Sequence, residues 1–506
     1  MIKDPFATVG VVPIFVNAGA ALVPTLVASF TSVAAILLKP KELLALFRRK
    51  PWVPVAVILI ATGLWFGIAR LLSTPASAAA STKKTPETAL ASRGADYWTN
   101  FALKQIQEEA NAKKTTGVIP LWDFPADEGM VLSTPTVSTG GDRVFATAAV
   151  QDVASYFGVL YCADAMTGKP IWKAEKAGDE DLKPFFSSPT LSADGKYLVI
   201  GQGLHDSADC SFLCFETATG ALHWKVKTPL HIESSPAIRG DLAVVGCGAI
   251  EGPDHKPTSH PGYVLAVRIS DGKELWRHDV ADAESSPAIG DDGTVYIGSG
   301  FNGNAVVALR GESDEELKSK NLKRELWKTP APFPITGPVT IVGDLVLVGG
   351  GNSDFVFADP KPAGVILALD RKTGVVRWQA PMDDSVLNQM VATDGKVYAA
   401  VRNGSVVSLN LADGKPIWTK RVSGNTPVKA GIALQGQTLF TVSCDGYLIL
   451  VNAADGSVIE KHPLNAKGKP GQGIYSLSTP MLAKDKLYVG SETGGLHCFQ
   501  SVAKKS

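Results

Sequence analysis

The chain has 506 residues, with 49 lysines and arginines against 49 aspartates and glutamates, and 45% of it is hydrophobic. Balanced charge argues against a nucleic-acid binder, and 49 glycines with 32 prolines in so apolar a chain call for many tight turns rather than disorder. Six scattered cysteines (162, 210, 214, 247, 444 and 498) contain no C-x-x-C pair, so neither a zinc ribbon nor a thioredoxin-type centre is signalled.

Residues 1–73 differ from the rest. Val9 to Leu38 is an apolar run without a charge, interrupted by Pro13, Asn17 and Pro24, and Trp52 to Leu72 is a second run broken only by Arg70. Each is long enough for a helix to span a bilayer, which takes about 20 apolar residues. Between them, KPKELLALFRRK carries Lys39, Lys41, Arg48, Arg49 and Lys50, and excess Lys/Arg marks a cytoplasmic loop. The expectation is a helical transmembrane hairpin in the inner, cytoplasmic membrane, with everything after Leu72 in the periplasm or extracytoplasmic space. RRKPW, the second run and ASAAA at 76–80 also have the layout of a late signal peptide. Either way the bulk is exported. Residues 74–95 are small and polar and read as a flexible linker. Residues 96–115, with Trp98, Phe101 and Ile106 at helical spacing, read as a short amphipathic helix that packs on the C-terminal part of the chain.

Residues 116–502 repeat. Trp122, Trp172, Trp224, Trp276, Trp327, Trp378 and Trp418 lie 50, 52, 52, 51, 51 and 40 residues apart, and the next register point is Glu460, where the tryptophan is lost. A period near 50 with four short alternating runs per unit is that of a β-propeller. The Asp-Gly pairs at 194–195, 271–272, 292–293, 394–395, 413–414 and 455–456 supply hairpin turns. First strands open at Ser133, Ser187, Ser234, Ser285, Thr336, Asn388, Lys429 and Ser478, which makes eight units. The last unit ends one strand short, while TGVIPLWDF (116–124) mimics the outer run TGKPIWKAE (167–175) with no inner strands before it. The fold class is therefore all-β, an eight-bladed propeller of four-stranded blades closed by an N-terminal strand, which leaves no free edge.

The recurring pattern is S-S-P-A, a strand, then L-x-A/C-x-D-x-x-T/D-G-x-x-x-W. Its instances LYCADAMTGKPIW (160–172), VLAVRISDGKELW (264–276), ILALDRKTGVVRW (366–378) and VVSLNLADGKPIW (406–418) resemble the repeat of pyrroloquinoline-quinone-type (PQQ-like) propellers. The resemblance implies that the seven tryptophans dock blade against blade. It also implies one of two functions. One branch of that family comprises quinoprotein dehydrogenases, which hold PQQ and calcium in the channel and commonly carry an adjacent cysteine pair. The other comprises BamB-like rings without a cofactor, which scaffold outer-membrane β-barrel assembly. This chain has no adjacent cysteines and no long inter-blade insertions, so the resemblance favours the second branch. The expectation is a non-catalytic protein-binding scaffold with no cofactor, the quinone-dependent enzyme and a ligand-sensing propeller being the alternatives. BamB is held by lipid on its first cysteine; here no cysteine precedes Cys162, and the hairpin would be the anchor.

Site residues are less legible. Irregular loops fall at 203–210, 248–262 and 350–364, and loops on a rigid scaffold are where binding resides. His205, Asp206, Asp254, His255 and His260 lie in them, but no pair has established ligand spacing and no metal site is assigned. Glu233 and Glu284 both precede S-S-P-A-I, at equivalent places by the channel mouth of adjacent blades. Two such carboxylates either raise one pKa, bind a cation, or cap local amides. In BamB relatives a Leu/Arg loop entering an E-S-x-P strand contacts the barrel-forming subunit. PLHIESSP (229–236) keeps Leu230, Glu233, Ser234 and Pro236, with His231 at the basic position. Leu230, His231, Glu233 and Glu284 are thus the expected partner-binding residues. No catalytic constellation is present: there is no G-x-S-x-G, no H-E-x-x-H and no phosphate-binding glycine loop.

Overall fold

A computed structural model describes residues 117–151, 155–205, 207–250, 260–469, 471–474 and 476–502. The expected transmembrane hairpin, linker and amphipathic helix, and Asp206, Asp254 and His255, lie outside the described residues. Among the described residues no helix is long and apolar enough to cross a membrane.

Short alternating runs bury their apolar faces only by pairing and stacking. Here they make eight four-stranded antiparallel sheets. Blade 3 is typical, running Ala237–Arg239, Leu242–Cys247, Tyr263–Arg268 and Glu274–Asp279 in hydrogen-bonded order. The second and third strands are buried almost throughout, whereas the outer strand alternates. Blade 8 takes Met481–Ala483, Lys486–Gly490 and Leu496–Val502 from the C-terminal end and Gly117–Phe124 from the N-terminal end. Gly117 pairs with Val502 and Phe124 with Leu496, so the ring closes through its own ends. His497 and Asp123 share a hydrogen bond of 2.7 Å across this seam.

The core is not inside the blades but between them. One apolar cluster joins Val199, Phe212 and Cys214 of blade 2 to Ala243, Val245 and Leu265 of blade 3. The next joins Val244, Val264 and Trp276 of blade 3 to Val295, Ile297 and Val307 of blade 4. The pattern runs around the ring to the cluster of Val144 and Tyr161 in blade 1 with Tyr488 and Cys498 in blade 8. All six cysteines are buried and free, and burial pushes the thiols of Cys162, Cys247 and Cys498 up to about 12. They behave as small hydrophobes.

Each tryptophan reaches one blade onward. Trp122 donates its indole N–H to the carbonyl of Ala165 at 3.3 Å, Trp172 to Thr217 at 3.0 Å and Trp224 to Ile269 at 2.6 Å. Trp276, Trp327, Trp378 and Trp418 do the same to Gly311, Arg371, Leu411 and Ala453 at 2.8–3.2 Å. Opposite each stands a small residue of the third strand: Cys214 against Trp224, Ala266 against Trp276, Ser408 against Trp418. In most cases the ring also lies over a glycine of the next blade's outer hairpin. At Gly272, φ is +72° and an added Cβ would meet Trp224 at 2.7 Å. Glu460 breaks this pattern for a physical reason. It faces blade 8, whose third and outer strands come from opposite ends of the chain, so there is no hairpin turn for an indole to cover. Instead, Glu460 accepts a hydrogen bond from the Val118 amide at 3.3 Å and pairs across its blade with the larger Leu450.

Gly240 shares the left-handed backbone of Gly272, with φ +59°, but has open space where a Cβ would go. Gly240→Ala should cost about 1–2 kcal/mol for the backbone alone. Gly272→Ala should cost at least about 1 kcal/mol more, because the methyl also displaces Trp224. Urea denaturation of the two variants measures the difference; equal costs would mean that the indole does not pack tightly on the turn.

Candidate functional site

The Ser-Ser-Pro signature lines the channel with hydrogen bonds. The first serine ties its own blade: Ser187 accepts from the Gly201 amide at 3.2 Å and Ser234 from Gly246 at 3.1 Å. The second ties the neighbour: Thr134 donates its amide to Ser188 Oγ at 3.0 Å, Ser188 to Ser235 Oγ at 2.9 Å, and Ser235 to Ser286 Oγ at 2.9 Å. Gly431 donates its amide to Thr479 Oγ1 at 2.8 Å and Thr479 donates its own to Thr134 Oγ1 at 3.3 Å, so the hydroxyl chain runs from blade 7 round to blade 4. Immediately before these serines the chain crosses one mouth of the channel, where a cavity of about 90 Å³ is lined by Glu233, Glu284, Thr336, Phe355 and Leu387 among others.

Four chemistry-bearing side chains meet on one side of that mouth. His205 lies on the loop after the second strand of blade 2, Tyr197–Gly201. His231 and Glu233 lie on the link from blade 2 to blade 3, and Glu284 on the link from blade 3 to blade 4. His205 Nδ1 and His231 Nε2 each stand 2.9 Å from the same atom, Glu284 Oε1. The two imidazole centroids are 5.3 Å apart. Glu233 Oε1 and His231 Nδ1 are buried without a hydrogen-bond partner. Burial, and then the neighbouring Glu284 carboxylate, push Glu233 up to about 7. Burial opposes ionisation of Glu284 as well, but the charge and hydrogen bonds of the two imidazoles outweigh it and hold that carboxyl well below the usual range. Two carboxylates of equal sequence context thus take opposite ionisation preferences.

The opposite arc is basic. Arg402 is buried beside Asp384 at 3.5 Å and donates to the Asp354 carbonyl at 2.8 Å. Lys429, also buried, donates to the carbonyls of Phe355 and Ile474. Burial, with the Arg402 cation nearby, holds its ammonium below the usual lysine range. The loop carrying Asp354 and Phe355 continues into Val356 and Phe357, which are 41% and 60% exposed.

Of the residues expected from the sequence, Glu233 and Glu284 line the mouth. Leu230 and His231 are fully buried, Leu230 in the core between blades 2 and 3, so neither side chain offers surface to a partner. His260 sits apart from the cluster, against Tyr263 and Asp279. Arg402 and Lys429 carry no signal in the sequence beyond being charged residues near strand ends.

A closed eight-bladed ring with inter-blade tryptophan docking and a serine-lined channel defines the PQQ-like propeller class. A family model described as outer membrane protein assembly factor BamB matches residues 88–358 and 302–506, and the chain belongs to that family. The outer membrane protein assembly factor BamB of Yersinia pestis is 22% identical over 357 residues, covering 68% of this chain and 80% of the relative. A tetrathionate hydrolase of Acidithiobacillus ferrooxidans is 22% identical over 370 residues, covering 65% of this chain and 66% of that one. The crystal structure of BamB from Moraxella catarrhalis superimposes with a TM-score of 0.55 at 15% identity, over 76% of this chain and all of that one, a likeness of fold.

Because Glu233 is held protonated by the fold, its folded pKa stands above that of the unfolded chain. The stability this contributes is present below about pH 4.5, the ordinary glutamate value, and is lost as pH rises through about 7. In metal-free buffer, the urea midpoint of wild type should fall across that window, and Glu233→Gln should flatten the fall. An unchanged profile in the variant would show that Glu233 is ionised in the folded protein.

Proposed function

We propose that this protein is a non-catalytic scaffold of outer-membrane protein assembly, anchored in the inner membrane through its N-terminal residues, with the propeller on the extracytoplasmic side. The observation that carries this reading is the family match, which runs through the whole ring. The absence of adjacent cysteines and the compact blades support a ring that works without PQQ or calcium. Its partner is a protein of the β-barrel assembly machinery, and the docking face is the channel mouth. Glu233 and Glu284 give that face its acidic arc, and the loop 352–363 gives it an apolar tip. Leu230 and His231 act from beneath, by fixing the course of the segment 229–236. Exposed aromatic side chains such as Phe357 are of the kind enriched at protein interfaces.

The test is crosslinking of tagged full-length protein in membranes, with identification of the crosslinked chain and an absorbance spectrum of the same eluate. A barrel-assembly subunit should be enriched, and Phe357→Ser with Val356→Ser should cut its yield at least about tenfold, the loss of one apolar anchor. The ring's melting temperature should stay unchanged, because both side chains are exposed. A quinone absorbance band with no such subunit would overturn the reading.

A further inference from the structure

We propose that His205, His231 and Glu233 form a binding site for one divalent transition-metal ion of the zinc type at the channel mouth, with the Glu284 carboxylate alongside. One ligand atom from each of the three lies within 4.8 Å of the others. Zinc bonds of about 2.0–2.2 Å put neighbouring ligand atoms roughly 3.5 Å apart, so a closing movement of about an ångström completes the set. Rotation about the side-chain torsions of three loop-borne residues supplies such a movement.

Three further observations point to a cation rather than to a hydrogen-bonded cluster alone. First, Glu233 Oε1 is buried and accepts nothing, and the fully buried His231 also leaves its Nδ1 unmatched. An unmatched buried polar atom carries a desolvation cost that a bound ion removes. Second, the charges close: two carboxylates, Glu233 and Glu284, balance a dication held by neutral imidazoles. Glu284, already 2.9 Å from both ring nitrogens, is placed to orient them, the part that carboxylates commonly play beside metal-ligating histidines. Third, the backbone makes room. A Cβ at Gly248 would come within 2.3 Å of His231 Nε2 and 2.9 Å of Glu284 Oε1, and that position is glycine with no positive φ to require it.

The donor set selects the ion. Imidazole nitrogens suit zinc, copper, nickel and cobalt, whereas calcium and magnesium take oxygen ligands. Three protein ligands beside a cavity leave a coordination position facing the channel, for water or for a carboxylate or imidazole of a docked chain. Since the ligands come from the blade 2 loop and the link to blade 3, with Glu284 on the link to blade 4, the ion ties three blades at the mouth.

The test uses purified full-length protein stripped with chelator, with cobalt(II) as the spectroscopic probe and zinc(II) competed against a chromophoric chelator. One equivalent of cobalt should bind with visible ligand-field bands of a low-coordinate nitrogen–oxygen site, and zinc should displace it. His205→Ala and Glu233→Gln should each weaken zinc binding at least about tenfold. His205 is half-exposed but also shares a hydrogen bond with Glu284, so its variant should stay folded with a lowered metal-free urea midpoint. No stoichiometric uptake by wild type, or unchanged affinity in both variants, would overturn the site. No protein partner enters these measurements, so their outcome is separate from that of the assembly reading.

Discussion

Contact between neighbouring blades is the constraint on which this structure rests. A four-stranded sheet of this size has two apolar faces and no core of its own, so each blade is stable only when both faces are covered. Eight inter-blade clusters do this, and seven tryptophans add a directional element by sending an indole N–H to a carbonyl of the next blade. The requirement shows most clearly where it lapses. Glu460 replaces tryptophan at the one step where the next blade has no third-to-outer hairpin, and a backbone hydrogen bond to Val118 takes over. Closure through the chain's own ends and loss of the tryptophan are one fact seen twice.

A frame held from blade to blade frees the loops at its mouth from structural duty. Serine hydroxyls along the channel fix where the first strands of blades 2, 3 and 4 begin, and so fix the residue just before each. Glu233 and Glu284 occupy that place in adjacent blades, which brings two carboxylates into one desolvated region. Their environments then part. Glu284 has two imidazoles and ionises; Glu233 has a buried oxygen without a partner and resists ionisation. Across the mouth Arg402 and Lys429 donate their hydrogen bonds to backbone carbonyls of loops, which pins the aromatic-tipped segment over the channel. The mouth therefore has an acidic, imidazole-bearing arc, a basic arc and an exposed apolar tip between them.

At the mouth the polar groups pair with one another or with backbone, except Glu233 Oε1 and His231 Nδ1, and the exposed apolar element is the Val356–Phe357 tip. An ion at the acidic arc would add a coordination point that a docked chain can complete, making docking sensitive to metal supply without any change in the ring.

The sequence by itself determined the ring. Tryptophan spacing, Asp-Gly turns and Ser-Ser-Pro strand starts are local features repeated at a fixed period, and a repeat that stacks on itself leaves one architecture open to it. Blade number and closure are written in the eight strand starts and in an outer run, 116–124, without its inner strands. Even the depth of Glu233 and Glu284 was legible, because the serines that follow them are part of the repeat. The site was decided by tertiary structure alone. His205 and Glu284 are 79 residues apart and His231 and Glu284 are 53 apart, and neither separation belongs to any local pattern. They meet because the ring turns successive blade links toward one axis. Burial of Leu230 and His231 was equally hidden, since a segment with loop composition passes beneath the surface only when two blades close over it. Periodic residues report their neighbours in sequence; residues that meet across blades report only the assembled ring.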